Sequence, residues 1–346
     1  MRAQVDQSRG NERPLVGHDA LRDHRQIGIR GKQGRNPRPA AVGRLSGCHA
    51  VGHGQHGARE GHGAIVASPF CAYNEARVKQ APLITSVQNP AVQRLRALAD
   101  PRARRREGVV LIEGVRLVEE ALSQNLALVE VAVSPRLERD ERGRALGLAL
   151  ERSEAYLHRT SDRVLAAMAD VETHQGVVAV AERPSHNPER VAAVAANPLV
   201  VAQGIQDPGN LGALVRVADA ASAAGVLVVG GADPFSPKAL RASAGSAFRV
   251  PLAEVTDCEA LLALLAATGR KLLVAVHHGG ESCFTADLSG RAALAFGGEG
   301  AGLAPTLVVA AALRISVPMK AGVESLNLVA AAAVILFEAT RARSRA

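Results

Sequence analysis

At 346 residues with 47% apolar content, the chain is long enough for two ordinary domains with sizeable cores. Its formal charge of +8 is unevenly placed: residues 1–79 hold thirteen Arg and Lys against six Asp and Glu, a surplus of seven, so a global basic field of the kind that marks nucleic-acid binding is confined to that segment. No run of 18 or more apolar residues supports a membrane span, no compact apolar stretch marks a secretory signal, and Cys48, Cys71, Cys258 and Cys283 show no C-x-x-C spacing, which together fit a reduced, cytoplasmic setting.

In chain order, residues 1–79 come first. The stretch "RGKQGRNPRPAAVGRLSGCHAVGHGQHGAREGHG" is rich in Gly, Arg and His and has no sustained hydrophobic period. Such composition cannot bury enough apolar surface to offset its ordering entropy, so a disordered basic extension is expected. A second reading stays open, in which Val78 is a GUG-encoded initiator and 1–79 is an over-extended gene start. The His-rich tract is a weak metal candidate by composition alone, and no metal cofactor is expected.

Patterned sequence begins near Leu83. "NPAVQRLRALAD" has an Asn-Pro entry and apolar residues at helical spacing, and the basic run "PRARRR" follows it. "GVVLIEG" reads as a strand, "VRLVEEALSQN" as a helix, "ALVEVAVSP" as a strand, "TSDRVLAAMADV" as a capped helix and "GVVAVAERP" as a strand. This alternation predicts a small α/β domain over 80–183. "RPSHNPERVAAVAANP", with three prolines, reads as a linker over 184–197.

A second domain, 198–346, is predicted from five short apolar strands, "LVVAQGI", "GVLVVGG", "KLLVAVHH", "AALAFGGE" and "RISVPM". Helices are expected to begin near Asn210, Ser236, Asp257, Gly302 and Ser325. Fully apolar strands alternating with helices predict a mostly parallel open sheet covered on both faces, with its ligand beyond the C-terminal strand ends. Three polar, Gly-rich segments follow such ends: "QDPGNLGALVRVADAA", "GGEGAGL" and "VPMKAGVESLN". Each has a structural reading, in which Asn210 and Ser325 cap helices, Gly209 and Gly212 permit tight turns, and Gly225 ends a helix. Convergent at one sheet edge, they would instead supply exposed backbone groups with two Asn, a Ser, a Glu and Arg216. An arginine near a helix N-terminus opposes the helix dipole and hints at an anionic client.

Rival chemistries lack their motifs. The sequence contains no G-x-G-x-x-G with a following ribose-binding acid, and no P-loop, G-x-S-x-G or H-E-x-x-H. His277 and His278 are adjacent, point to opposite strand faces, and read as strand-end residues.

"DPGNLGALVRVADAASAAG", "FGGEGAGL" and "ISVPMKAGVESLNLVAAAAVILFE" resemble, in order, the three motifs of the SpoU family of RNA ribose 2'-O-methyltransferases. "ITSVQNPAVQRLRAL" and "VVLIEGVRLVEEAL" are similar to that family's N-terminal substrate-binding module. The resemblance implies a trefoil-knotted α/β (SPOUT) catalytic domain that binds S-adenosylmethionine and works as a homodimer. Carried over onto this chain, it implies catalytic roles for Asn210, Arg216, Glu299, Ser325 and Asn327. Cofactor contacts are implied at Gly298, Gly300, Ile315, Pro318, Ser325 and Leu326. RNA contacts are expected from Arg94, Arg96, Arg102, Arg104, Arg105 and Arg106, with Lys238 and Arg241 beside the site, since clustered cations neutralise phosphates. The two-domain form points to 23S rRNA as the substrate. The alternatives are tRNA, a base rather than a ribose target, and a non-catalytic RNA-binding or ribosome-assembly protein of the same fold.

Overall fold

A computed structural model describes residues 82–169, 174–194, 197–288 and 290–344. The chain divides into two units after Pro69; the first, and with it the expectation for 1–79, Cys48 and Cys71, lies outside the described residues.

The first sheet is entered through two short helices. Asn89 caps α1 (Pro90–Ala97), and Asp100 caps α2 (Pro101–Glu107), accepting from Arg102 N at 2.9 Å. The basic run is thus helical, stopped by Gly108 at φ +66, a left-handed turn that favours glycine. There follow β1 (Val109–Glu113), α3 (Val115–Ser123), β2 (Leu128–Val133), α4 (Glu141–Glu151), β3 (Tyr156–Arg159), α5 (Asp162–Ala166) and β4 (Val177–Glu182). The strand order is β1-β4-β2-β3, with β4 antiparallel to both neighbours and β3 parallel to β2. Sequence reading missed α4 and β3. α4 carries two glycines and buries only Gly143, Leu146 and Leu150, so its apolar stripe is thin.

The described part of the segment expected as a linker contains a helix. This is α6 (Pro188–Ala193), capped by Asn187, with Val191 and Ala192 buried. The buried Arg270 guanidinium donates to the carbonyls of Ala192 (2.7 Å), Val194 (2.5 Å), Asn197 (3.0 Å) and Ala292 (3.1 Å). Burial, with Arg291 nearby, pulls its pKa down to about 10.

The second sheet is built from β5 (Leu199–Gln203), α7 (Pro208–Ala220), β6 (Gly225–Val229), α8 (Pro237–Ser243), α9 (Ser246–Arg249), β7 (Leu252–Val255), α10 (Cys258–Ala267), β8 (Lys271–Ala275), β9 (Glu281–Ser282), β10 (Ala292–Gly297), α11 (Pro305–Ala310), β11 (Leu313–Ser316) and α12 (Leu328–Arg343). Its order is β7-β6-β5-β10-β8-β11-β9, and every pair is parallel. Val200, Ala202, Val226, Val228, Leu294 and Phe296 face one core, shared with α7 and α12. Leu199, Val201, Leu227, Ala293 and Ala295 face the other, under α6, α10 and α11. Burial on both faces is why these strands read as unbroken apolar runs. Gly225 opens β6 instead of ending α7: a Cβ there would meet Val191 Cγ1 at 2.5 Å and Pro251 O at 2.7 Å.

Ion pairs tie the two sheets together. Arg241 on α8 meets the buried Glu113 at 3.2 Å, Arg249 meets Glu120 of α3 at 2.6 Å, and Arg183 meets Asp233 at 2.8 Å while lying 4.7 Å over the Phe235 ring.

Candidate active site

The parallel order puts the ends of β5, β10, β8 and β11 side by side, and the switch in strand direction of progression falls beside β5. Open α/β sheets bind ligands at such a point.

After β5 the chain turns through Gly204 into α7. Asp207, not Asn210, caps this helix, accepting from Asn210 N at 3.0 Å, with Pro208 at its first position. Asn210 is thereby freed within the first turn, and its Nδ2 donates to Glu299 Oε1 across the gap between β5 and β10. Lys238 lies along the same turn and meets Asp207 Oδ2 at 2.7 Å. That hydrogen bond, with the Asn210 N–H, holds the Asp207 carboxyl below its ordinary range.

The loop after β10 is fastened by backbone bonds. Gly298 N donates to Gln203 O (3.1 Å), Gly302 N to Gly298 O (3.0 Å), and Ala304 N to Gln203 Oε1 (2.9 Å). A Cβ at Gly298 would sit 2.4 Å from Gly204 O, and one at Gly297 would sit 2.3 Å from Gly302 C. Only glycine permits this crossing, which presents Glu299 at the exposed rim.

After β11, residues 317–327 run without helix or strand to α12. Asn327, not Ser325, is the cap, its Oδ1 accepting from Val329 N at 2.9 Å. Ser325 and Leu326 are exposed just before it.

The loops after β8, β10 and β11 enclose a cleft of about 640 Å³ lined by Gly298, Glu299, Gly300, Ser325, Leu326 and Asn327, with an apolar wall of Phe296, Leu303, Val317, Met319 and Ile335; Asn210 is not in the lining and reaches it through Glu299. Its size and mixed lining suit a small-molecule site. Two cofactor expectations fall elsewhere. Ile315 is wholly buried in β11, where its carbonyl accepts from Val276 N at 2.8 Å, and Val317 lines the cleft in its place. Pro318 lines a smaller adjoining cavity.

Arg216 is not in the cleft either. It is the ninth of thirteen residues in α7, about 9 Å beyond Asn210 along the axis. It is exposed and makes no ion pair or hydrogen bond among the described residues. Arg216 therefore does not oppose the helix dipole, since Asp207 is the cap and Arg216 lies in the helix's second half.

Among the expected RNA contacts, Arg104 is the plain correction. It is 2% exposed, donates to Leu98 O (2.8 Å) and Ala99 O (2.9 Å), and braces the two sheets near Asp233. Arg94 is half-buried between Glu107 and Glu130, and Arg241 and Lys238 serve the ion pairs given above. Arg96, Arg102, Arg105 and Arg106 remain exposed on α1 and α2, Arg105 beside Glu254 at 3.7 Å and Arg106 beside Glu107 at 3.9 Å.

Sequence reading missed His277 and His278, which line the cleft. β8 ends at Ala275, so both lie in the bend beyond it and are not held on opposite strand faces as expected.

Comparison with known proteins gives concordant findings. The model of the SpoU rRNA Methylase family matches residues 197–337, and that of the MRM3-like substrate binding domain matches 89–179. An uncharacterised tRNA/rRNA methyltransferase of Synechocystis is 32% identical over 75% of this chain and 93% of its own length. The Bacillus subtilis 23S rRNA (guanosine(2553)-2'-O)-methyltransferase RlmP is 34% identical over 73% of this chain and 97% of its own. The crystal structure of the SpoU methyltransferase AviRb from Streptomyces viridochromogenes, in complex with the cofactor AdoMet, superposes with a TM-score of 0.67 at 28% identity, over 75% of this chain and 100% of that one.

Proposed function

The chain belongs to the SpoU rRNA methylase family, and from that premise we propose that it transfers a methyl group from S-adenosylmethionine to a ribose 2'-hydroxyl of 23S rRNA. The observation that carries this is a cleft lined by Glu299, Ser325, Leu326 and Asn327, with Asn210 tied to its rim by the hydrogen bond to Glu299. The cleft fits the cofactor: glycine backbone at Gly298 and Gly300 admits close approach, and the Phe296, Leu303, Val317 and Met319 wall suits an adenosine. When bound, S-adenosylmethionine supplies an electrophilic methyl on a sulfonium.

The chain's own contribution is mostly placement. A ribose hydroxyl is a poor nucleophile while protonated, so aiming it in line supplies much of the rate. Asn210, held by Glu299, and the exposed Ser325 hydroxyl present polar groups toward the cleft mouth, while Asn327 is bound to its own helix N-terminus. Arg216 is assigned to the ribose or its phosphate, where the guanidinium stabilises developing alkoxide; a guanidinium offers N–H donors and no acceptor, which favours that role over proton abstraction.

Because Arg216 lies outside its own chain's cleft, the homodimer gains a chemical reason: Arg216 of a second copy completes the site. The half-exposed Phe337 on α12 offers apolar surface for that pairing. The trefoil knot rests on family membership, supported by the late strand β10 lying between β5 and β8. Arg96, Arg102, Arg105 and Arg106 are assigned to RNA phosphates. The cytoplasm is the assigned compartment; among the described residues no helix is long and apolar enough to cross a membrane.

Arg216→Ala is the test. Methyl incorporation into rRNA should fall by roughly 10²-fold or more while RNA binding persists. Unchanged incorporation would remove Arg216 from the site, and absence of incorporation by the wild type would favour an RNA-binding protein of the same fold.

A further inference from the structure

Beside the main cleft lies a second cavity of about 280 Å³, between the ends of β8 and β11. Its lining includes His277, His278 and Lys320 but no carboxylate. The nearest acids in sequence are placed elsewhere: Glu324 lines the main cleft, and Glu281 is exposed on β9. His277, His278 and Lys320 are all exposed, and their side chains make no hydrogen bond or ion pair among the described residues. Three nitrogen-bearing side chains thus converge on a cavity whose own walls offer them no anion. The Ser316 hydroxyl, also in the lining, donates to Gly280 O at 3.1 Å.

The two cavities are continuous in lining. His277, His278, Val317 and Met319 belong to both. Strand order then fixes direction. Glu299 follows β10, and the second cavity follows β8 and β11, one and two strands further along, or roughly 5–10 Å at ordinary strand spacing. Asn210 follows β5, on the opposite side of β10. A ligand whose reacting atom lies beside Glu299 therefore has its other end within reach of His277, His278 and Lys320.

We propose that His277, His278 and Lys320 form an oxyanion subsite that holds the anionic end of a ligand occupying the main cleft. The proposal rests on the methyltransferase reading and deepens it. Two sources share the chemistry: the amino-acid carboxylate of S-adenosylmethionine and a phosphate of the RNA strand. An ammonium and two imidazole N–H groups serve either, as donors of charge-assisted hydrogen bonds.

The test compares the full chain with the His278→Ala/Lys320→Ala double variant by calorimetry. The probes are S-adenosylmethionine, methylthioadenosine, which lacks the carboxylate, and an rRNA fragment titrated at several salt concentrations. If the carboxylate is the client, S-adenosylmethionine binding weakens by roughly tenfold or more and methylthioadenosine binding is unchanged. If a phosphate is the client, both small ligands keep their affinity, RNA binding weakens and its salt dependence becomes shallower. A variant of wild-type melting temperature that binds all three probes as the wild type does overturns the subsite and leaves the cofactor reading standing. A wild-type protein that binds neither small ligand overturns both. If the double variant fails to fold, Lys320→Met alone, at an exposed loop position, is read by the same criteria.

Discussion

Glu299 sits at the tip of a loop whose backbone admits no side chain at Gly297 or Gly298, and its carboxylate receives the Asn210 amide. Two chain segments 89 residues apart are thus fixed to one another at the cleft rim. Loss of that bond leaves Asn210 free to rotate without disturbing the Gly298–Gln203 backbone bond that shapes the loop after β10. Glu299→Ala should therefore lower kcat by roughly 10²-fold, the cost of about 1 Å of misplacement, with cofactor affinity nearly unchanged. Calorimetry with S-adenosylmethionine beside single-turnover methylation separates the two effects, and a parallel loss of affinity would mean that Glu299 supports the loop itself. The residues that make this rim were legible in the sequence as types in a motif. Their division of labour was not, because capping is a matter of register: Asp207 and Asn327 take the caps, which frees the Asn210 amide for Glu299 and leaves Ser325 uncommitted in the cleft lining. Arg104 was misread for a similar reason. A run of arginines looks uniform in sequence, but a helix turns its members to different sides, and one of them faces the core.

At the scale of elements, α7 and α8 approach closely at Gly212. A Cβ there would lie 2.2 Å from Ala239 O and 2.9 Å from Ala239 C, backbone atoms that move only with their helix. Gly212→Ala should destabilise the protein by about 2 kcal/mol, the middle of the range for overpacking, and should loosen the Lys238–Asp207 pair that crosses the same junction. Urea denaturation reads the first effect; a midpoint equal to the wild type would show that α8 yields without cost. Strands β5, β6, β8 and β10 were readable because burial on both faces writes an apolar run into the sequence. α4 and β7 carry no such signal: one has a thin apolar stripe, and the other is four residues long with an exposed Glu254. α6 was hidden by the prolines around it, although Pro188 at its first position is where a helix accepts proline.

For the molecule as a whole, the two sheets are joined by charge as well as by apolar core. Asp233 is the pivot, with Arg183 at 2.8 Å, Arg104 at 3.9 Å and Phe235 N at 3.0 Å. Burial raises the pKa of its carboxyl, but the Arg183 hydrogen bond and charge outweigh burial and hold it below the ordinary range. A carboxyl depressed on folding contributes its full stability above the unfolded value of about 3.9 and loses it as pH falls through the folded value. Asp233→Asn should therefore cost about 2 kcal/mol at neutral pH, by removing the charge-assisted hydrogen bond to Arg183, which keeps Glu254 at 2.9 Å as its remaining carboxylate. The gap from the wild type should stay constant down to about pH 4 and close only below it. Denaturation midpoints across that range check the claim, and a gap that closes between pH 7 and 5 would point to another group. None of this junction was legible in the sequence, because Arg183 and Asp233 are 50 residues apart and neither belongs to a motif.

The central claim, ribose methylation of 23S rRNA, is tested most directly by nuclease digestion and mass spectrometry of rRNA from cells with and without the gene. A single nucleotide of 23S rRNA should carry a methyl on its ribose only when the gene is present, and restoring the gene with Arg216→Ala should leave that nucleotide unmodified. Identical ribose methylation in both strains, or a gene-dependent methyl found on a base or only in tRNA, would contradict the account.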